Sequence, residues 1–262
     1  MFLIHFLDVG RGDSIILQFE NGRTYLVDSN EVMGKTTPLE YLTQTLKVKE
    51  LETVVVTHPH RDHIQGIQRI IKYIPTRQVW LSGYPWESQI HKNLTLALEQ
   101  RQGIRVFFPR SGTFIAEGKD RIQILAPPAN LLRGTHSDIN NASIVIKVTI
   151  ANLQQDTSSS VILGADAELA SWMQILMEHG RRLKADLLKV SHHGSQYGGD
   201  EEVLAAIRPQ YAVVSVGENL YGHPEASVLQ IIEETTSMRI FRTDIDGTCI
   251  FESDGVRWRY LL

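Results

Sequence analysis

The stretch Glu52-Thr53-Val54-Val55-Val56-Thr57-His58-Pro59-His60-Arg61-Asp62-His63 decides the reading. ETVVVT is a run of β-branched residues without polar alternation, which predicts a strand buried on both faces. Three histidines and an aspartate then fall within six residues. Imidazole nitrogen and carboxylate oxygen are the donors that zinc and similar first-row cations prefer. In an extended turn alternate side chains face the same way, so His58 and His60 can share one ion. Asp62 and His63, wound into the first turn of a following helix, can point to a second. The end of a buried strand is also where α/β folds place their active sites.

Working outward, short β-type runs precede this corner at Phe2–Leu7, Ser14–Phe19 and Thr24–Val27, with Asn21-Gly22 as a hairpin turn. Helices are expected over Thr36–Leu46, His63–Tyr73 and Glu87–Gln102. Strands are expected at 78–81, Ile104–Phe108 and Arg121–Leu125. Pro127-Pro128 through Asn141 is the most irregular stretch. Beyond it the style repeats, with strands at Ser143–Ala151, Val161–Leu163, Asp186–Val190 and Tyr211–Val216. Helices are read at Ala167–Glu178, Glu201–Ile207 and Pro224–Thr235. Three strands, Arg239–Thr243, Gly247–Phe251 and Val256–Tyr260, finish the chain. The expectation is one domain, 1–262, of two similar halves (about 1–130 and 131–262), built as two packed sheets with helices outside.

Composition limits what this domain does. The chain has 262 residues, 42% of them hydrophobic and 21% charged, which is ordinary for a globular protein and excludes wholesale disorder. Lys and Arg number 26 against 30 Asp and Glu, a net charge of −4, so any contact with nucleic acid must be a local patch. A single cysteine, Cys249, excludes an internal disulfide and a cysteine-based zinc cage, and fits a reducing compartment. No apolar run approaches the ~20 residues needed to span a bilayer. A soluble, cytoplasmic protein is the expectation. GxSxG, P-loop and dinucleotide fingerprints are absent from the sequence, which leaves serine hydrolases, NTPases and dinucleotide enzymes unsupported.

His-x-His-x-Asp-His after a buried strand resembles the metallo-β-lactamase superfamily, whose α/β fold is an αββα sandwich of two mixed sheets with helices on both outer faces. Four further segments resemble the hydrolase domain of the ComEC-type DNA-internalisation proteins. They are Leu7-Asp8-Val9-Gly10-Arg11-Gly12-Asp13-Ser14, Leu188-Lys189-Val190-Ser191-His192-His193-Gly194-Ser195, Tyr221-Gly222-His223-Pro224 and Ser137-Asp138-Ile139-Asn140-Asn141-Ala142-Ser143.

The resemblance implies that His58 and His60 bind a first metal, that Asp62 and His63 bind a second, and that Asp166 bridges them. Capping the following helix is the competing role for Asp166. His192 is expected as the last ligand of the second metal and His193 as a nearby hydrogen-bond donor, although the order reverses if the strand breaks there. The third histidine usual on the first metal is missing. Asn140 or Asn141 takes its place as a weak polar contact, or His136 reaches in. Asp28 is expected to support the metal loop, and Asp8 to act similarly from a turn whose aspartates, Asp8 and Asp13, could equally cap their own backbone. Arg11 stands where the family has glutamine and suits a phosphodiester. Asn141 and Ser195 join it as candidate substrate contacts. The candidate catalytic groups are Asp62, His193 and His223, the last as a phosphate donor or leaving-group acid.

The implied cofactors are two divalent ions, with Zn²⁺ favoured and Mn²⁺ the competitor. The implied activity is phosphodiester cleavage, of single-stranded DNA or another nucleotide chain, by a hydroxide that bridges the ions. A metallo-hydrolase of carbon esters, lactones or thioesters is one alternative. A binding module that keeps the metal but not the chemistry is another.

Overall fold

The computed structural model describes residues 1–235 and 239–261. Fifteen strands form two sheets. Those before the midpoint are β1 (Phe2–Phe6), β2 (Ile15–Gln18), β3 (Thr24–Val27), β4 (Leu51–Val56), β5 (Thr76–Leu81), β6 (Arg105–Phe107), β7 (Phe114–Glu117) and β8 (Asp120–Ala126). After it come β9 (Val145–Asn152), β10 (Thr157–Leu163), β11 (Leu187–Lys189), β12 (Tyr211–Val214), β13 (Ile240–Arg242), β14 (Cys249–Ser253) and β15 (Trp258–Leu261). One sheet runs β15-β14-β1-β2-β3-β4-β5-β6 and the other β13-β12-β11-β10-β9-β8-β7. Both are mixed. β3 through β6 are parallel to one another, as are β10 through β13, while the remaining neighbours pair antiparallel.

The sheets do not divide at residue 130. β7 and β8 lie in the second sheet, and the final hairpin β14–β15 returns to the first, where β14 pairs with β1.

Unbroken apolar runs follow from burial on both faces. Val55 faces the layer between the sheets, with Phe6, Ile146, Leu163 and Leu187. Val54 and Val56 face outward, against α3 (Ile67–Tyr73) and α4 (Gln89–Gln100). Leu188 and Val214 do the same on the second sheet, beneath Trp172 of α5 (Leu169–His179), Ile207 of α6 (Glu201–Ile207) and Ile232 of α7 (Ala226–Thr235). The section through the molecule is therefore helix, sheet, sheet, helix.

Three local expectations change. The helix read over Thr36–Leu46 is a turn of α1 (Pro38–Glu40) running into a wider π-type turn, Tyr41–Thr45. The helix expected from His63 is split into α2 (Arg61–Ile64) and α3, because the Gly66 amide donates to the Ser29 carbonyl at 2.7 Å and breaks the helical ladder. Thr243, read as a strand end, instead opens a short helical turn, α8 (Thr243–Asp246). No helix among the described residues is long and apolar enough to cross a membrane.

Candidate metal centre

Parallel strands align their carboxyl ends, and the candidate residues leave those ends together. Asp28 follows β3, the HPHRDH corner follows β4, Asp166 follows β10, His192 and His193 follow β11, and Ser215 follows β12. Four of the seven non-glycine residues described with positive φ lie here: Asp28, Ala165, His192 and His193. Left-handed backbone costs a residue with a Cβ roughly 1–3 kcal/mol, so the surrounding packing must hold these turns in place.

Asp166 is the hub. Its Oδ2 lies 3.2 Å from His63 Nε2, 3.8 Å from His58 Nε2 and 4.0 Å from His192 Nε2, and its Oδ1 lies 3.4 Å from His193 Nε2. His58 Nε2 faces His60 Nδ1 at 3.0 Å. Asp166 does not cap α5. The cap role falls to Asn141, whose Oδ1 accepts from the amides of Glu168 and Ser171.

The paired histidines do not lie as alternation along the strand expects. His193 is 1% exposed, its Nδ1 donates to the Ser215 carbonyl at 2.8 Å, and its Nε2 joins Asp62 and His63 in one compact donor group. His192 instead turns its Nδ1 toward Glu168 Oε1, 3.4 Å away. Alternation along β11 fails to carry over because both histidines take left-handed backbone.

Asp28 is fully buried and accepts from the Thr57 amide (2.8 Å), from Thr57 Oγ1 (2.6 Å) and from His63 Nδ1 (2.7 Å). It thereby fixes the His63 tautomer with Nε2 turned toward Asp166. Asp8, by contrast, is bound to Lys35 Nζ at 2.5 Å and reaches none of the histidines. Asp13 does reach them. Its Oδ2 takes a 2.5 Å ion pair from Lys189, and its Oδ1 lies 3.8 Å from His193 Nδ1. Lys189 is fully buried, donates also to the Ala165 carbonyl and stands 3.9 Å from Asp166 Oδ1.

The other candidates sort by what they touch. Arg11 donates to Asp62 Oδ2 at 2.9 Å, while its Nε is buried without a partner. It lines a cleft of about 480 Å³ with Asn30, Val32, Arg61, Asp62 and Tyr221. His223 lies 5.6 Å, ring to ring, from His192, and its Nδ1 has no partner. Asn141 is buried with both ends of its amide engaged in structural hydrogen bonds, so it is removed as a substrate contact. Ser195 is corrected likewise. It is 2% exposed, and its Oγ accepts from the Tyr197 amide. His136 does not reach His58 or His60. It pairs with Glu168 at 3.0 Å, and Asn140 donates to the same carboxylate at 2.9 Å.

Sequence reading missed Asp13 as an inward group, and it missed Lys189 and Glu168 entirely. A lysine or glutamate beside an apolar run reads as a solvated end, and only the fold shows that these are buried.

Electrostatics prepares most of these groups to hold a cation. Burial, reinforced by His63 nearby, holds His58 well below the usual histidine range, and burial lowers His60 as well, so both present neutral imidazole. Burial opposes ionisation of Asp166, but His193 and His63 outweigh it and keep the carboxylate ionised. Asp62 is held down against burial by His63, and His193 and Arg11 add to the effect. His63 is the exception. Burial would depress it, yet Asp166 and Asp28 raise it well above the usual range.

His63 Nε2, His193 Nε2 and Asp166 Oδ1 are all buried without a hydrogen-bond partner. Unpartnered, converging donors of this kind fit a divalent cation. Three groups of such donors share His63: His58-His63-Asp166, Asp62-His63-His193 and Asp13-Asp28-His63.

The architecture and the histidine–carboxylate cluster define the class: this is the metallo-β-lactamase fold. A metallo-hydrolase from the archaeon Ignicoccus hospitalis superposes with a TM-score of 0.57 at 17% identity, covering 96% of this chain and 100% of that one. A long-form RNase Z from yeast superposes at 0.54 with 13% identity, over 97% of this chain and 42% of that one. In sequence the chain is similar to competence proteins. It is 27% identical to ComE operon protein 3 of Bacillus subtilis over 94% of this chain, and 24% identical to competence protein ComA of Neisseria gonorrhoeae over 93%. It spans about a third of those relatives' length, 32% and 31%. No protein-family model matches the chain.

Proposed function

We propose that the chain is a divalent-metal-dependent phosphodiesterase acting on nucleotide phosphodiesters. The observation that carries this reading is the pairing of a converging His–Asp cluster with a guanidinium, Arg11, fixed against one of its carboxylates at 2.9 Å. His58, His60 and Asp166 would hold one ion, and Asp62, His63, His193 and the second oxygen of Asp166 the other. The ions would supply, at neutral pH, a nucleophilic hydroxide from water whose pKa falls from about 15.7 toward ~7, and would neutralise charge on the phosphoryl group.

The chain's own residues then position the substrate. Arg11 presents its partly exposed guanidinium to the cleft beside Asp62, suited to a non-bridging phosphate oxygen. Burial lowers His223, and His192 and His193 reinforce the shift, so it enters the reaction as a neutral hydrogen-bond donor rather than as a proton source. Lys189, bound to Asp13, balances buried negative charge behind Asp166. Similarity to competence proteins, and in fold to an RNase Z, supports a nucleic-acid substrate. A carbon-ester or thioester substrate would gain support from a third histidine on the first site, and His136 pairs with Glu168 instead.

The test is elemental analysis and a phosphodiesterase assay on one metal-loaded sample, with bis-p-nitrophenyl phosphate and single-stranded DNA, alongside nitrocefin, a lactone and a glutathione thioester. Cleavage of the phosphodiesters, abolished by His60→Ala and by Asp62→Ala, is expected. Turnover of only the carbon substrates, or of none, would sink the proposal.

A further inference from the structure

Exposed aromatic rings pack on polar side chains in and beside the candidate site. Tyr221, 65% exposed, lies under the Arg11 guanidinium at 4.2 Å and beside the His223 ring at 5.9 Å. Trp86, 38% exposed, sits edge-on to His60 at 5.9 Å. Tyr197, 43% exposed, stacks on His136 at 4.0 Å and 20°. Scattered exposed aromatics are ordinary on a protein surface. A set anchored to Arg11, His60 and His136 is not scattered.

Tyr221 also stands on a braced loop. Asn219 Nδ2 donates to the carbonyls of Gly217 and His223, while its Oδ1 accepts from the amides of Tyr221 and His223. The far end is tied to the histidine corner, where the Glu225 amide donates to the Gly194 carbonyl. The ring is thus presented in a fixed position with one face on the guanidinium, and it remains open to solvent.

We infer that Tyr221 is the stacking platform for the base next to the phosphate held by Arg11. The inference rests on the phosphodiester reading above. Bases in a single strand expose their faces to such rings, whereas paired bases bury them against their neighbours. The platform therefore selects unpaired nucleic acid. It is tolerant of sequence, because every base has a π-face.

The test is equilibrium binding of cleavage-resistant phosphorothioate octathymidylate to the metal-loaded protein, read by fluorescence anisotropy. An abasic octamer with the same backbone is measured in parallel. Tyr221→Ala is expected to weaken binding of the thymidine strand about tenfold and to leave the abasic strand unchanged. Tyr221→Trp should retain affinity, and Tyr221→Leu, which keeps bulk but loses the π-face, should not. Equal affinity of wild type and Tyr221→Ala for the thymidine strand, or equal loss on both strands, overturns the inference. Hydrolysis of bis-p-nitrophenyl phosphate by the same wild-type sample reports separately on the phosphodiester reading. Tyr221-dependent binding without hydrolysis removes that reading and leaves the platform standing, and hydrolysis without Tyr221 dependence does the opposite.

Discussion

Asp28 holds His63 by one ring nitrogen and Thr57 by two hydrogen bonds, so it sets both the tautomer of the ligand and the path of the loop that carries it. Outer partners of this kind are worth about 10–100-fold in metal affinity. Asp28→Asn should weaken Zn²⁺ binding by that factor in competition titration against a chelator, and unchanged affinity would remove Asp28 from the machinery. Lys189 makes a different demand. Breaking a buried ion pair leaves one charge unmatched, so Lys189→Met should destabilise the fold by roughly 3–5 kcal/mol. Neutralising its partner as well, in Lys189→Met/Asp13→Asn, should restore part of that loss in urea denaturation. Additive losses would mean that the two residues are not coupled. At this scale the convergence of the HPHRDH side chains was legible because one corner carries four donors. The choice between His192 and His193 was not, since positive φ at both abolishes the alternation on which it relied. Asp13 and Lys189 each look like a surface charge until the fold brings them together.

The loops behind the strands touch backbone to backbone. A Cβ on Gly217 would lie 2.5 Å from the Gly10 carbonyl carbon and 2.7 Å from the Arg11 amide nitrogen, so the segment after β12 closes directly on the segment that carries Arg11. Gly217→Ala should push the two apart at roughly 1–3 kcal/mol, the usual range for overpacking, and should be visible as a lower denaturation midpoint. A midpoint equal to wild type would show that the loops yield freely. Gly66 explains an expectation that failed in the same way. A Cβ there would lie 2.3 Å from Ser29 Oγ, so this glycine, inside the one helix expected over His63–Tyr73, is where the loop after β3 crosses. Strand β7 escaped notice because its outward residue Phe114 is exposed and hides the alternation. In contrast, the unbroken valines of ETVVVT identified their strand directly, since a sheet covered on both faces uses apolar side chains at successive positions.

Across the whole molecule, a metal centre that joins side chains from both sheets should tie stability to occupancy. At about 100 times the dissociation constant, an ion that binds only the folded state adds ~2.7 kcal/mol, or about 5–10 °C in the melting midpoint of a domain this size. Thermal melts with Zn²⁺ or Mn²⁺ against a chelator measure that shift, and indifference to both would argue that neither ion binds. The layered architecture could be read from patterning. The assignment of strands to sheets could not, because the chain crosses between sheets ahead of its irregular middle and crosses back at its last hairpin. That return has a consequence for how the polypeptide comes together. β1, far ahead of β14 in the chain, waits for it to occupy one of its two edges. A nascent chain stopped before residue 249 would carry an unzipped seam through its central sheet, so neither half has a finished form to rest in on its own.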